Sequence, residues 1–121
     1  MYYNQYAGTM PSSIAQIGTL ENFLVQNNYF HGYIDMVFTA NFTDLTIIDI
    51  SNNAFTGPVP SIGYQGLQFH LTTVHAIANC FTGSIPTSIC DAHSLQTLFM
   101  DGLSSGVSLV RDFQYIANFA V

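Results

Sequence analysis

Asp49 and His75 are the residues whose types could do chemistry together. They fill the same slot in successive copies of a repeating pattern set out below, which makes them neighbours on adjacent strands. An acid beside an imidazole is half of a general acid–base device. No nucleophile is marked by a motif near them and no pocket is implied. A surface ion pair worth at most about 1 kcal/mol is the expected role, and no catalysis is expected. The other histidines, His31, His70 and His93, are scattered, and no His pair has the i, i+4 spacing of a helical zinc motif. Neither Cys80 nor Cys90 has a CxxC partner, so no metal or other cofactor is expected. Ten residues of extended chain should hold the two cysteines farther apart than the roughly 7 Å between Cα atoms that a disulfide allows. Separate thiols are the expectation. Asn41-Phe42-Thr43 is the one N-x-S/T sequon, a candidate glycosylation site that leans the chain towards the secretory pathway.

Composition narrows the partner class. Hydrophobic residues make up 49% of the 121 and charged residues 7%, which excludes a disordered chain. Apolar runs are short, so no membrane span is expected. The net charge is −6, and Arg111 is the single basic residue. Binding a phosphate backbone needs clustered cations, so nucleic acid is excluded, and charge alone favours a neutral or cationic partner.

The elements that position these residues come from an internal repeat. Asn28-Tyr29-Phe30-His31-Gly32 returns as Asn53-Ala54-Phe55-Thr56-Gly57 and as Asn79-Cys80-Phe81-Thr82-Gly83, with an earlier copy at Asn4-Gln5-Tyr6-Ala7-Gly8. The Asn-to-Asn steps are 24, 25 and 26 residues. Upstream apolar residues keep register: Leu20, Phe23, Val25; Leu45, Ile48, Ile50; Leu71, Val74, Ala76; and Leu95, Leu98, Met100. Leu103 stands where the next Asn would be. Amphipathic helices do not give this pattern, which has period 2 at its centre and Gly and Pro at fixed offsets.

Written as LxxLxLxxNxFxGxIPxxIxxI, the unit resembles the plant-type leucine-rich repeat of receptor-like kinase ectodomains, receptor-like proteins and polygalacturonase-inhibiting proteins, with similar repeats in algae. The resemblance covers residues 1–103, about four and a half repeats. It implies an α/β repeat fold: a right-handed solenoid with a short-stranded parallel sheet on its concave face and a convex side of mostly loop or 3-10 structure. Asn4, Asn28, Asn53 and Asn79 should form a structural ladder to backbone groups of neighbouring coils. Tyr6, Phe30, Phe55 and Phe81 should stack as an aromatic spine. Residues 104–121 depart from the repeat. The helical spacing of Leu109, Phe113, Ile116 and Ala120 predicts a helical or irregular cap.

Residues flanking the inward positions should point out of the concave sheet. These are Asn22, Leu24 and Gln26; Ile47, Asp49 and Ser51; Thr73, His75 and Ile77; and Thr97, Phe99 and Asp101. Exposed aromatics and aliphatics on a rigid sheet suit recognition of a protein or peptide, as the resemblance also implies. It further implies an extracellular or cell-surface location. The alternative is a structural or adhesion spacer with no specific ligand. Ice or glycan binding would want regular Thr columns, and Thr73 and Thr97 make only two steps. Met1 falls on the third apolar slot of a coil, and the two slots before it are missing. The expectation is an N-terminally truncated array, able to self-associate through its uncapped end.

Overall fold

In the computed structural model the described residues are 4–34, 42–61, 70–85, 87–100 and 115–117, with only the backbone described for Cys90 and 115–117. Asn41, Asp101, Leu103, Arg111 and the opening residues 1–3 lie outside them. The strands, in chain order, are β1 (Ala7–Thr9), β2 (Asn22–Leu24), β3 (Tyr29–Gly32), β4 (Ile47–Asp49), β5 (Ala54–Pro58), β6 (Thr73–His75), β7 (Cys80–Thr82), β8 (Thr97–Phe99) and β9 (Tyr115–Ala117). They form two sheets. The first has the order β2-β4-β6-β8-β9 and the second β1-β3-β5-β7.

The first sheet is built from the period-2 centre of the repeat. Its parallel strands β2, β4, β6 and β8 pair slot for slot, Phe23 with Ile48, Ile48 with Val74, and Val74 with Leu98. All four of these central side chains are buried. They join Val25, Leu45, Ile50, Leu71, Ala76, Leu95 and Met100 in one core running through the array. No coil could bury this face alone, so each is stabilised by its neighbours.

The second sheet was not foreseen from sequence. The segment after each ladder asparagine is itself a strand: β1, β3, β5 and β7 pair in parallel. Only one residue per strand faces inward, Phe30, Phe55 and Phe81, which leaves too short an alternation to read as a strand. This sheet does not pair slot for slot. Gly8 lies opposite Phe30, Gly32 opposite Phe55 and Gly57 opposite Phe81, so each strand is displaced by two residues relative to the repeat. That is a slip of about 6.6 Å per coil. Gly57 has φ +80°, and a Cβ there would meet the Tyr33 ring at 2.6 Å. The repeat glycine thus allows both the left-handed backbone and the close approach of the previous coil. Short 3-10 helices at Ser12–Gln16 and Thr87–Asp91 carry the chain back towards the first sheet.

The C-terminal tail departs from the helical expectation. Tyr115–Ala117 is a strand, antiparallel to β8, with Leu98 opposite Ile116. The open edge of β8 presents unpaired N–H and C=O groups, and satisfying them outweighs a local helical spacing. The tail therefore covers the end of the array as a strand at these three residues.

Candidate binding face

The asparagines hold the strands' ends in place. Asn53 Oδ1 accepts from Phe30 N at 3.1 Å, and its Nδ2 donates to Val25 O at 2.9 Å and to Ile50 O at 3.3 Å. Asn79 repeats this with Phe55 N at 3.1 Å and Ile50 O at 2.8 Å. Asn28 accepts from Tyr6 N at 3.2 Å and donates to Val25 O at 3.0 Å. Asn4 joins the next coil through its backbone N–H, donated to Asn27 O at 3.2 Å. The residue before each inner ladder position has positive φ: Asn27 at 59°, Asn52 at 54° and Ala78 at 56°. Tyr6, Phe30 and Phe55 stack with interplanar angles of 10° and centroids 6.2–6.4 Å apart.

A second backbone ladder, which the sequence reading missed, runs along the strands' other ends. Thr46 Oγ1 donates to Glu21 O at 3.0 Å, and Thr72 Oγ1 donates to Thr46 O at 3.1 Å. The signal was weak, because the same slot holds Glu21 and Gln96 in the outer copies.

Between these ladders the first sheet presents its outer face. Register aligns Asn22, Ile47, Thr73 and Thr97 in one column. It aligns Leu24, Asp49, His75 and Phe99 in the next. Asn22 and Ile47 are exposed and the other six are half-buried. His75 Nδ1 lies 3.5 Å from Asp49 Oδ2, with side chains 32% and 17% exposed. The His75 and Phe99 rings are tilted at 52° with centroids 4.7 Å apart. The second column thus reads aliphatic, carboxylate, imidazole, phenyl.

The third column, Gln26, Ser51 and Ile77, lies just past the strands, and Asp101 of that column is outside the described residues. Gln26 and Ile77 are half-buried. Ser51, expected on the surface, is only 6% exposed. The chain curls there towards the left-handed Asn52 and tucks the slot inward. Ser51 N donates to Asp49 Oδ1 at 3.1 Å. The buried Ser51 Oγ and Gln26 Oε1 make no hydrogen bond.

Among the described residues the pair Asp49–His75 has no partner nucleophile of the kind acyl transfer requires. That chemistry needs a hydroxyl or thiol held against the base, and the nearby Ser51 Oγ is bonded to nothing. An apolar gap behind the sheet is lined by Ile48, Ile50, Val59, Pro60, Val74, Ala76 and Met100. With no polar side chain on its wall it has nothing to orient a substrate. Among the described residues no cluster of three His, Cys, Asp or Glu could hold a metal ion, and no helix is long and apolar enough to cross a membrane. Cys80 is an exposed free thiol. Of the sequon, Asn41 lies outside the described residues, Phe42 is buried and Thr43 is exposed.

Known proteins carry the same repeat. A family model described as Leucine Rich Repeat matches residues 44–64. Receptor-like protein 7 of Arabidopsis thaliana is 34% identical over 97 residues, 78% of this chain and 9% of its own length. Receptor-like protein 52 of the same plant is 34% identical over 80 residues, 66% of this chain and 10% of its own. The chain thus spans about a tenth of the length of these curated relatives. Among solved structures, the ectodomain of the Arabidopsis thaliana receptor kinase GASSHO1/SCHENGEN3, in complex with Casparian strip integrity factor 2, superposes with a TM-score of 0.74 at 30% identity. The match covers 83% of this chain and 12% of that one. The plant peptide hormone receptor RGFR1, in complex with RGF2, gives a TM-score of 0.74 at 31% identity over 83% of this chain and 16% of that one. Repeat unit, sheet register and relatives agree, and the chain belongs to the plant-type leucine-rich-repeat proteins.

Proposed function

We propose that the outer face of the first sheet, the concave face of the solenoid, binds a protein or peptide, as a module of an extracellular or cell-surface protein. The observation that carries this reading is the second column. Leu24, Asp49, His75 and Phe99 put apolar anchors and polar groups side by side on strands fixed at both ends by ladders. A preorganised face loses little entropy on binding, and aromatic and aliphatic anchors supply contact area. The similarity to GASSHO1/SCHENGEN3 and RGFR1, both in complex with their ligands, supports a peptide or protein partner. The relatives' description as receptor-like proteins supports the location. The role is recognition, with no reaction assigned to Asp49 and His75.

Capture from a pool of plant extracellular peptides tests this. Immobilised chain should retain peptides that the double variant Leu24→Asp, Phe99→Asp does not. Equal retention by both would remove the concave face as the binding surface. No retention by either would leave the chain a structural spacer.

A further inference from the structure

Among the described residues, Tyr29 and Tyr33 are the most exposed large apolar side chains, at 63% and 62%. Both belong to the second sheet. Tyr29 and His31 face out of β3, with the buried Phe30 between them. Tyr33 follows directly after the strand, before the buried Ile34. The neighbouring strands set small side chains beside this row: Ala7 opposite Tyr29, and Thr9 and Ala54 opposite His31. The two phenols and the imidazole therefore rise from a low floor. Tyr33 is exposed and yet seated. Gly57 of β5 has no Cβ, and one edge of the Tyr33 ring takes that place: a Cβ would lie 2.6 Å from Cδ1 and 2.7 Å from Cε1. A ring held at one edge has already given up rotamer freedom, which lowers the entropic cost of binding to it. Large rings kept in water on a rigid sheet mark a contact surface.

Charge decides what covers this surface. Ala7, Thr9, Tyr29, His31, Tyr33 and Ala54 include no carboxylate and no Lys or Arg. The net charge of −6 repels a second copy of the chain, an acidic polysaccharide or an anionic lipid surface. A cationic segment finds no carboxylate in the row to pair with. A neutral, hydroxyl-rich polymer meets neither obstacle. We propose that the outer face of the second sheet binds a neutral polysaccharide. The C–H groups on the flat side of a sugar ring are slightly positive and meet the negative face of a phenol. Sugar hydroxyls find the Thr9 hydroxyl and the His31 ring nitrogens as partners. Roughly 13 Å of strand separates Tyr29 from Tyr33, so the two rings serve different sugar units and select a chain over a single sugar. This surface is apart from the Leu24–Phe99 column, and the proposal does not depend on peptide binding there.

Saturation-transfer NMR on the whole chain, with cellohexaose, xylohexaose and mannohexaose as probes, tests this. At least one should receive saturation from the protein's aromatic protons. Tyr29→Ala and Tyr33→Ala should each weaken its binding by about fivefold or more. Tyr29→Phe, which keeps the ring, should bind as the parent does. Oligogalacturonate, an acidic chain of similar length, should not bind. Tyr29 is exposed and makes no part of the core, so the Tyr29 pair of variants keeps the test valid even if Tyr33→Ala folds poorly. Three results would each overturn the proposal: no neutral oligosaccharide bound, binding unchanged in Tyr29→Ala, or oligogalacturonate bound as well as the neutral probes. Peptides that the parent captures and Tyr29→Ala does not, with no sugar bound, would also overturn it and give the surface to a protein.

Discussion

Asn53 joins two coils with one side chain, through Phe30 N and Val25 O on one side and Ile50 O on the other. Removing it strands backbone groups that have no water to turn to. Asn53→Ala is expected to destabilise by about 1–3 kcal/mol, read as a lower denaturant midpoint. Exposure alone makes its neighbour Asn52 look neutral, with a cost below about 0.5 kcal/mol on substitution. Its backbone corrects that reading. Asn52 sits at φ 54°, where asparagine is tolerated far better than alanine. Ala78 occupies the same position at φ 56° without that advantage. Ala78→Asn should therefore stabilise by about 0.5–1 kcal/mol, while Asn52→Ala costs about as much. Equal melting temperatures for the Ala78→Asn variant and the parent would remove this account. The ladder was legible because one residue type recurs at one slot. The left-handed position was not, because Asn27, Asn52 and Ala78 share a backbone conformation and not a side chain.

Strand β9 meets β8 backbone to backbone, closing an edge that would otherwise template a second chain. Ile116 is its central residue, and proline there removes a donor and disrupts the pairing. Ile116→Pro is expected to raise self-association, seen as concentration-dependent light scattering, with the core coils still folded. Scattering unchanged from the parent would show that another part of the tail protects β8. The strands of the first sheet could be read directly, because each places an apolar residue between two that face out, as Phe23 does between Asn22 and Leu24. β9 could not. Its conformation is set by the edge it finds, and its own spacing points to a helix. The second sheet was hidden for a related reason, since its strands owe their form to pairing across coils. The outward face was legible in its two strand columns. It failed at Ser51, where the turn into Asn52 overrides alternation.

At the scale of the molecule, every coil is held by the ones beside it. Val25 O accepts from both Asn28 and Asn53, and Ile50 O from both Asn53 and Asn79. Opening one coil therefore weakens the next, and protection should decay towards the ends. Amide exchange in a dilute monomer should find residues 45–60 slower than residues 4–15. Uniform rates along the array would contradict a nearest-neighbour solenoid. The constant pairing of repeat glycine with the next phenylalanine has a further consequence. Because Gly8–Phe30 and Gly32–Phe55 are the same joint, coils are interchangeable parts. Excising residues 29–53 splices Asn28 to Ala54. It then sets Gly8 against Phe55, Phe23 against Val74, and Asn79 within reach of Val25 O. Each is a joint the molecule already makes. The shortened chain should fold with one coil fewer and without Asp49 or Ser51, a natural blank against which any ligand of the full array can be measured.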